Sequence, residues 1–325
     1  MKKLLYISLL IIFFFNINTF SIARADYPEK PITLIVNYAP GSSSDLAART
    51  LADAAAKILG QPIIVVNKVG ASGTLGVGAI ASAKPDGYTI GVSSFAPLTM
   101  GPHMFDVPYD PIKDFDQILT YGLVMYGPAV RADSQFKTLK DLVQYAKANP
   151  GKIKFSAIGA ASPNNFGMVH LAKAEGIQWE LVVFKGNIEC VSAVLGGHVD
   201  IVSQTPADVV PYIKAGRLRL LASFCNTRWK WVPEVPTARE LGYQFDVESY
   251  YALGAPKGTP KHIVDKLKNS FKQAMETPQF LETMERIYVP PYYRSGEDYQ
   301  KMIEVGFKSM GEMIKELGLH KSQKK

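Results

Sequence analysis

The sequence predicts an α/β fold arranged in two domains. Short apolar runs of four to seven residues alternate with stretches of helical period almost from one end of the chain to the other. This alternation is typical of βαβ units built around largely parallel sheets. The 325-residue chain keeps 300 residues after a predicted leader of 25, which is enough for two domains of ordinary size.

The apolar runs are predicted to be strands because turn residues such as Pro85-Asp86-Gly87 bound them. The predicted strands are 32–37, 63–67, 88–93, 153–157, 181–184, 201–203 and 218–224. Helical periodicity predicts helices at 45–59, 139–148, 164–175 and 207–215. We expect Ser44 to cap the first of these helices with its hydroxyl.

Residues 1–25 are predicted to be a cleavable signal peptide. Two lysines open the chain, an apolar run follows over 4–15, and Ala23-Arg24-Ala25 has the small-x-small pattern of a cleavage site. The run is too short to span a bilayer, which takes about 20 helical residues. No cysteine directly follows it to carry a lipid. We therefore expect a soluble, non-lipidated periplasmic protein that begins near Asp26.

Composition restricts the class of partner and the redox chemistry. The formal net charge of +7 falls to +4 in the mature chain, because the leader holds three basic residues and no acid. This mild excess suits an anionic small ligand but is too weak and dispersed for nucleic acid. Cys190 and Cys225 are expected to be small buried apolar side chains, although a pairing between them stays open.

Two stretches without clear periodicity, 121–131 and 246–255, are predicted to carry the chain between domains. One domain then comprises 26–125 together with 250–325, and the other comprises 126–249. A second domain inserted into the first is the layout of hinge-closing, type II periplasmic binding proteins. The ligand is expected in the cleft between the domains.

Three loops of small and polar residues open at the carboxyl ends of predicted strands, where open parallel sheets bind ligands. The first precedes a helix whose N-terminus offers free N–H groups and a partial positive charge to an anion. Each loop taken singly is explained as well by ordinary turn and cap residues. Taken together, they predict one anion site. The candidate ligand-binding residues in the three loops are Tyr38, Ala39, Gly41, Ser42, Ser43, Ser44, Ser93, Ser94, Phe95, Ala160, Ala161, Ser162 and Asn164.

Asp45 poses an electrostatic question at the first loop. An acid beside an anion site repels the ligand unless its carboxylate is occupied elsewhere. We interpret Asp45 as a structural residue that binds loop amides.

Enzyme signatures are mostly absent from the sequence. It contains no Gly-x-Ser-x-Gly elbow, no phosphate-binding Gly-x4-Gly-Lys, no His-Glu-x-x-His and no paired-cysteine metal spacing. An exported serine hydrolase is the alternative, and it requires a histidine base. No histidine lies in any of the three loops. We expect no cofactor, no metal and no catalytic residue.

A series of short motifs runs in order along nearly all of the mature chain. They are Tyr27-Pro28-x-Lys30-Pro31-Ile32, Leu59-Gly60-Gln61-Pro62, Lys84-Pro85-Asp86-Gly87-Tyr88-Thr89, Pro108-Tyr109-Asp110-Pro111, Leu195-Gly196-Gly197-x-Val199-Asp200, Ile213-Lys214-Ala215-Gly216 and Ala255-Pro256-x-Gly258-Thr259-Pro260. This series resembles the receptors of tripartite tricarboxylate transporters, the Bug-type periplasmic solute-binding family.

The resemblance implies two α/β domains and a ligand carboxylate held in a deep cleft by backbone amides and bridging waters. It also implies an organic acid as cargo, often a di- or tricarboxylate, and the membrane permease subunits of an ion-driven transporter as partners. The family's facing loops fall on 38–44 and 160–164. Two departures add candidates to the site: Phe184 stands where a tyrosine is usual, and Gln204 lies in a segment that often holds an acid or Asn.

These departures leave the identity of the acid open. We expect a monomer without a nucleic-acid partner. A periplasmic sensor that serves a membrane signalling protein is a second alternative, which the sequence does not separate from a delivery receptor.

Overall fold

The computed structural model describes residues 27–158 and 162–323. The predicted signal peptide and two candidate site residues, Ala160 and Ala161, lie outside these ranges. Within them the chain forms two mixed sheets with helices packed against them, so the predicted α/β class is confirmed. None of the helices in the described ranges has the length and apolar character needed to cross a bilayer.

The first sheet has six strands. They are β1 (Ile32–Val36), β2 (Ile63–Asn67), β3 (Thr89–Val92), β4 (Phe115–Met125), β10 (Glu248–Pro256) and β11 (Arg294–Ser295). Their order is β11-β4-β10-β3-β1-β2. β1 pairs in parallel with β2 and β3, whereas β10 runs antiparallel between β3 and β4. The carboxyl ends of β1, β2 and β3 therefore lie along one edge.

The second sheet has five strands. They are β5 (Gly127–Arg131), β6 (Lys154–Ala157), β7 (Glu180–Val183), β8 (Ile201–Gln204) and β9 (Leu218–Leu220). Their order is β7-β6-β8-β5-β9. β6 is parallel to β7 and β8, and β5 is antiparallel to β8 and β9. The carboxyl ends of β6, β7 and β8 form a second edge of the same kind.

Helices cover both sheets. They are α1 (Ser43–Leu59), α2 (Thr74–Ala81), α3 (Phe95–Thr99), α4 (Gly101–Met104), α5 (Leu139–Ala148), α6 (Pro163–Glu175), α7 (Asn187–Leu195), α8 (Pro206–Lys214), α9 (Lys261–Met275), α10 (Pro278–Arg286) and α11 (Gly296–Glu316). We call the first sheet with α1–α4 and α9–α11 the first lobe, and the second sheet with α5–α8 the second lobe.

The two lobes are joined without an intervening loop on one side. β4 ends at Met125 and β5 begins at Gly127, so only Tyr126 separates strands of different sheets. A Cβ on Gly127 would lie 2.4 Å from the carbonyl oxygen of Ala222, and this close approach requires glycine. The chain returns through β10. The strands of each sheet are compatible with the predicted domain ranges, and the exact domain limits stay a prediction.

The last helix, α11, packs on both lobes. Near its start the Tyr299 hydroxyl donates to the carbonyl oxygen of Ser93 at 2.7 Å. Near its end Ile314 is fully buried in the same apolar cluster as Leu171 of α6. Lys173 of α6 also pairs with Glu316 at 2.9 Å. The C-terminal turns therefore complete the core of the second lobe.

Three local expectations differ from the structure. α1 begins at Ser43, and its cap is Ser42, whose Oγ accepts from the Asp45 N–H at 3.3 Å. The strand predicted over 218–224 ends at Leu220, because the next residues bond elsewhere; Phe224, for example, donates its N–H to Tyr126. The stretches 121–131 and 246–255 are largely strand rather than irregular.

Asp45 ties the loop after β1 to the sheet. Its side chain is 2% exposed. Its carboxylate accepts from the Gly41 N–H at 2.9 Å, from Arg49 Nε at 3.0 Å and from Asn67 Nδ2 at 2.8 Å. Burial alone would raise the pKa of this carboxyl, but the hydrogen bonds from Arg49, Asn67 and Gly41 lower it below its ordinary value. Asp45 thus binds loop amides, as the sequence indicated.

We predict that Asp45→Asn lowers the free energy of unfolding by about 1–3 kcal/mol, because a buried charge-assisted network loses its acceptor. The lowered pKa means that the carboxylate stabilises the fold above its ordinary value of 3.8, and that this contribution disappears as pH falls through the folded-state pKa. Urea unfolding at pH 7 and at pH 3 measures both effects. Asp53→Asn, on the exposed face of the same helix, is the matched control. An equal loss at both pH values would contradict the electrostatic explanation.

Candidate ligand-binding site

The candidate residues gather where the two sheet edges face each other across the crossing strands. Tyr126, between β4 and β5, is close enough to interact electrostatically with Tyr38 of the first lobe and with Asp208 of the second. Tyr251 of β10 interacts with the same two residues. Ser43 and Thr205 also line one small void, so residues after β1 and β8 lie in the same region. The described part of the predicted site is therefore shared between both lobes.

The first loop uses some of its amides internally. The Gly41 N–H is taken by Asp45, and the Ser42 N–H donates to the Ala39 carbonyl at 3.2 Å. Ser43 and Ser44 are the first two helical residues, and an α-helix has no internal acceptor for its first N–H groups. Their amides are thus the ones in this loop best placed to receive an anion.

The Ser43 and Ser44 side chains have different surroundings. Ser43 lines a small void of about 20 Å³, together with Tyr251 and residues 205–207 of the second lobe. Ser44 is 3% exposed and lies beside the buried Tyr121 hydroxyl. Ser43 therefore faces the cleft, whereas the Ser44 hydroxyl points into the first lobe. Ala39 and Gly41 are exposed on the outside of the loop.

Tyr38 lies in the loop between β1 and α1. It is deeply enclosed yet partly accessible, and burial raises the pKa of its hydroxyl to about 12, with Ser94 beside it. Ser94 Oγ also approaches Asn37 Oδ1 at 3.4 Å. The loops after β1 and β3 thus bring a phenol, an amide and a hydroxyl together.

The other two residues predicted after β3 have mainly structural contacts. Ser93 is fully buried, and its Oγ donates to Gln117 Oε1 at 2.8 Å. Phe95 packs edge-on against Tyr250 with the ring centroids 5.5 Å apart. Phe95 also lines a cavity of about 420 Å³ between α3, α11 and the start of β10. That cavity is largely apolar, whereas Ser43 lines the smaller void.

In the second lobe, Asn164 and Gln204 form one unit. Asn164 Nδ2 donates to Gln204 Oε1 at 2.7 Å and to the Ser203 carbonyl at 3.1 Å. Ser162 is the buried residue before the first turn of α6. Phe184 follows β7, is half-buried and packs among apolar side chains. The residues from β6, β7 and β8 therefore share one edge.

Three buried side-chain amide nitrogens in the described residues have no hydrogen-bond partner. Gln117 Nε2 belongs to β4, inside the first sheet, and the other two lie at the ends of strands from different lobes. Asn37 Nδ2 follows β1, and Gln204 Nε2 ends β8. The oxygens of both amides face donors, Ser94 Oγ and Asn164 Nδ2, which fixes their orientation. A buried unpaired donor costs about 1–3 kcal/mol unless an acceptor reaches it. Each of these two nitrogens can therefore donate a hydrogen bond to an acceptor on a ligand or a water molecule.

Sequence reasoning missed several residues of this region. Asn37, Tyr126 and Tyr251 were overlooked because they lie within or next to predicted strands and crossovers, where an aromatic or amide side chain is ordinary. Asp208 is the third residue of α8, where an acid commonly stabilises a helix N-terminus. The available signal was its position directly after β8, at the carboxyl end of a strand.

The loop after β2 is also missing from the candidate residues. Ala71, Ser72 and Gly73 all have positive φ values, of 45°, 55° and 91°. A Cβ on Gly73 would lie 2.9 Å from Asn37 Nδ2. The backbone of this loop therefore lies directly against Asn37.

Across the described residues, no group of three or more His, Cys, Asp or Glu side chains is arranged to hold a metal ion. Cys190 and Cys225 are both buried and free. Burial raises the pKa of the Cys190 thiol to about 11. His170 stacks on Phe245, with ring centroids 5.1 Å apart.

The chain is similar to known proteins over almost its whole length. The profile of the "Tripartite tricarboxylate transporter family receptor" matches residues 47–319. The Cupriavidus necator protein named "UPF0065 protein in gbd 5'region" is 40% identical over 302 residues, which are 93% of this chain and 92% of that protein.

Two solved structures have the same fold. The periplasmic binding protein BugD has a TM-score of 0.74 and 30% identity over 90% of this chain and 99% of its own. MatC from Rhodopseudomonas palustris with bound malate has a TM-score of 0.73 and 26% identity over 89% of this chain and 100% of its own. These matches confirm the likeness to periplasmic binding proteins, and the profile match spans most of the sequence. The chain belongs to the receptor family of tripartite tricarboxylate transporters, which includes the Bug-type solute-binding proteins.

Proposed function

We propose that this protein is a periplasmic receptor that captures an organic carboxylate between its two lobes and delivers it to the permease of a tripartite tricarboxylate-type transporter. The observation that carries the proposal is that two of the three buried, unpartnered amide nitrogens, Asn37 Nδ2 and Gln204 Nε2, lie at strand ends, one in each lobe. A ligand that accepts hydrogen bonds from both is held only when the lobes are together. Such a ligand also favours closure.

A carboxylate suits this arrangement because it accepts hydrogen bonds and carries negative charge. The N-terminus of α1 points its first N–H groups and a partial positive charge toward the cleft at Ser43. Asp45 does not oppose an anion there as a free carboxylate would, since Arg49 and Asn67 share its charge. The Tyr38 hydroxyl stays protonated at neutral pH and adds a donor.

Family membership supports the transport role and the compartment. The related MatC structure is described with bound malate, and BugD is described as a periplasmic binding protein. We extend to this chain the class of ligand, an organic acid, and the compartment, with residues 1–25 as the export signal. The permease subunits are the proposed partners, and the receptor acts as a monomer.

Catalysis is not part of the proposal. The histidines that the structure positions most clearly have other contacts: His103 faces the Phe307 carbonyl at 2.8 Å, and His170 stacks on Phe245. A hydrolase using a loop serine would need one of them as its base. Sensing for a membrane signalling partner remains the other alternative, and loss of uptake in a strain without the receptor gene decides for delivery.

We predict that the purified protein binds one organic carboxylate per chain and leaves it unchanged. Thermal-shift screening against a panel of carboxylates identifies the ligand, because a ligand at about 100 times its dissociation constant adds roughly 2.7 kcal/mol of stability. Mass spectrometry of the recovered ligand checks its identity. Detection of a cleaved or modified product would contradict the receptor role.

We predict that Ser43→Leu and Ser162→Leu each weaken binding by at least tenfold, because a larger side chain fills the approach to the first amides of α1 or to the start of α6. Ser43→Ala should be milder, since only a hydroxyl contact of about 0.5–1.5 kcal/mol is lost. Calorimetric titration measures these effects. Ser192→Leu, exposed on α7, is the matched control. Unchanged affinity in both leucine variants would place the site elsewhere.

We predict that saturating ligand reduces the radius of gyration in small-angle scattering. Contacts with both lobes form only when the lobes close, so the ligand shifts the population toward the closed form. The binding-deficient Ser43→Leu variant should scatter alike with and without ligand. Superimposable profiles for the natural sequence would argue against closure.

A further inference from the structure

Asp208 brings a carboxyl group into a site proposed to bind an acid. It lies in the first turn of α8, after β8, and it interacts electrostatically with Tyr126 and Tyr251. Its Oδ2 accepts from Thr205 Oγ1 at 2.6 Å and from Asn187 Nδ2 at 3.2 Å. The side chain is half-buried. Asp208 is thus held beside Thr205, which lines the small void shared with Ser43 of the first lobe.

Asp208 has neutral hydrogen-bond donors but no cationic partner. None of the salt bridges formed within 27–158 and 162–323 includes it. Burial raises the pKa of the Asp208 carboxyl, while Thr205 and Asn187 lower it by less. A buried carboxylate without a cation is costly, and a second carboxylate from a ligand would increase that cost. Asp45, by contrast, is paired with Arg49.

Asn187 provides a second acceptor beside Asp208. Its Nδ2 donates to Asp208, so the amide orientation is fixed, and its Oδ1 is buried without a hydrogen-bond donor. The helix dipole of α8 accounts for an acid at position 208 but not for the unmet oxygen of Asn187 next to it. Two acceptors, one of them charged, therefore lie side by side at the starts of α7 and α8.

The donors of the proposed site belong to other residues. Asn37 Nδ2 and the first amides of α1 are in the first lobe, and Gln204 Nε2 lies at the end of β8. Gln204 and Asp208 both approach the Cys190 thiol, so the donor of β8 and the acceptors after it are neighbours. A ligand that satisfies both sets carries a carboxylate and, a short distance away, a positively charged or N–H group.

We propose that Asp208 and Asn187 Oδ1 accept hydrogen bonds from a protonated nitrogen of the ligand, so that this receptor selects amine-bearing carboxylic acids over dicarboxylates. This inference rests on the proposed function and names the class of acid that the cleft takes. Asp208 is the specificity-determining residue, because its carboxylate attracts a cationic group of the ligand and repels a second carboxylate.

The test compares acids that differ only in their amine. Calorimetric titrations use matched pairs: L-leucine with 4-methylpentanoate, L-phenylalanine with 3-phenylpropanoate, L-glutamate with glutarate, and 4-aminobutanoate with butanoate. In the natural sequence we expect the amine to raise affinity at least tenfold in one or more pairs, with glutarate binding more weakly than the preferred amino acid. This comparison needs no variant, so it decides the question even if a substitution prevents folding.

The Asp208→Asn variant then tests whether Asp208 causes the preference for an amine. It keeps one acceptor oxygen and the shape of the side chain but removes the charge, so the amine preference should fall to threefold or less and glutarate should bind more tightly than before. Glu180→Gln, exposed at the opposite end of the same sheet, removes the same charge and should leave the preference unchanged.

The outcomes separate this inference from the function on which it rests. If acids bind with no preference for an amine, or if Asp208→Asn leaves a strong preference intact, the assignment to Asp208 is overturned and the carboxylate receptor stands. If no acid in the panel binds, with or without an amine, the proposed function fails and this inference fails with it.

Discussion

The continuity of the crossing strands is the constraint on which the rest of the molecule depends. β4 belongs to the first sheet and β5 to the second, and a single residue, Tyr126, lies between them. The close approach of Gly127 to Ala222 leaves no space for a side chain at this junction. With so short a connection the two sheets must present their strand ends to each other. The position of the cleft is thus set by the backbone before any ligand residue is considered.

The buried polar groups near the cleft differ in how many hydrogen-bond partners they have, and this difference determines what a ligand can bind there. The acid nearest the first loop, Asp45, has three hydrogen-bond donors and serves the loop. The amide nitrogens of Asn37 and Gln204 have none. Ordinary proteins leave few such groups unpaired, so their presence at the ends of two strands is informative. Asp208 differs from Asp45, since only uncharged donors reach it.

Much of the fold could be predicted from the sequence because parallel strands are short, apolar and bounded by turns. β1, β2 and β6 lie within a residue or so of their predicted limits. The crossing strands were harder: β4 is buried along nearly all its length, so its apolar residues show no alternation that would mark a strand. The start of α1 was placed two residues late, because any of the serines at 42–44 can cap a helix.

The candidate site was predictable only as a set of loops. Sequence identifies where small residues follow strands, which led to Tyr38, Ser43 and Ser94. It does not show which amide is already used, as at Gly41, or that Asn187 and Asp208, separated by 20 residues, form a hydrogen bond. Such pairings depend on how α7 and α8 pack against each other, and packing is a property of the folded chain.

The C-terminal end of α11 has a consequence for the order in which this protein acquires its structure. Ile314 and the residues around it complete the apolar core of the second lobe, although that lobe is otherwise built from the middle of the sequence. During synthesis, residues 126–249 are therefore made before the last residues of that core. The core of the second lobe therefore stays incompletely packed until the C-terminal residues have been made. Apolar surface exposed during that time favours aggregation.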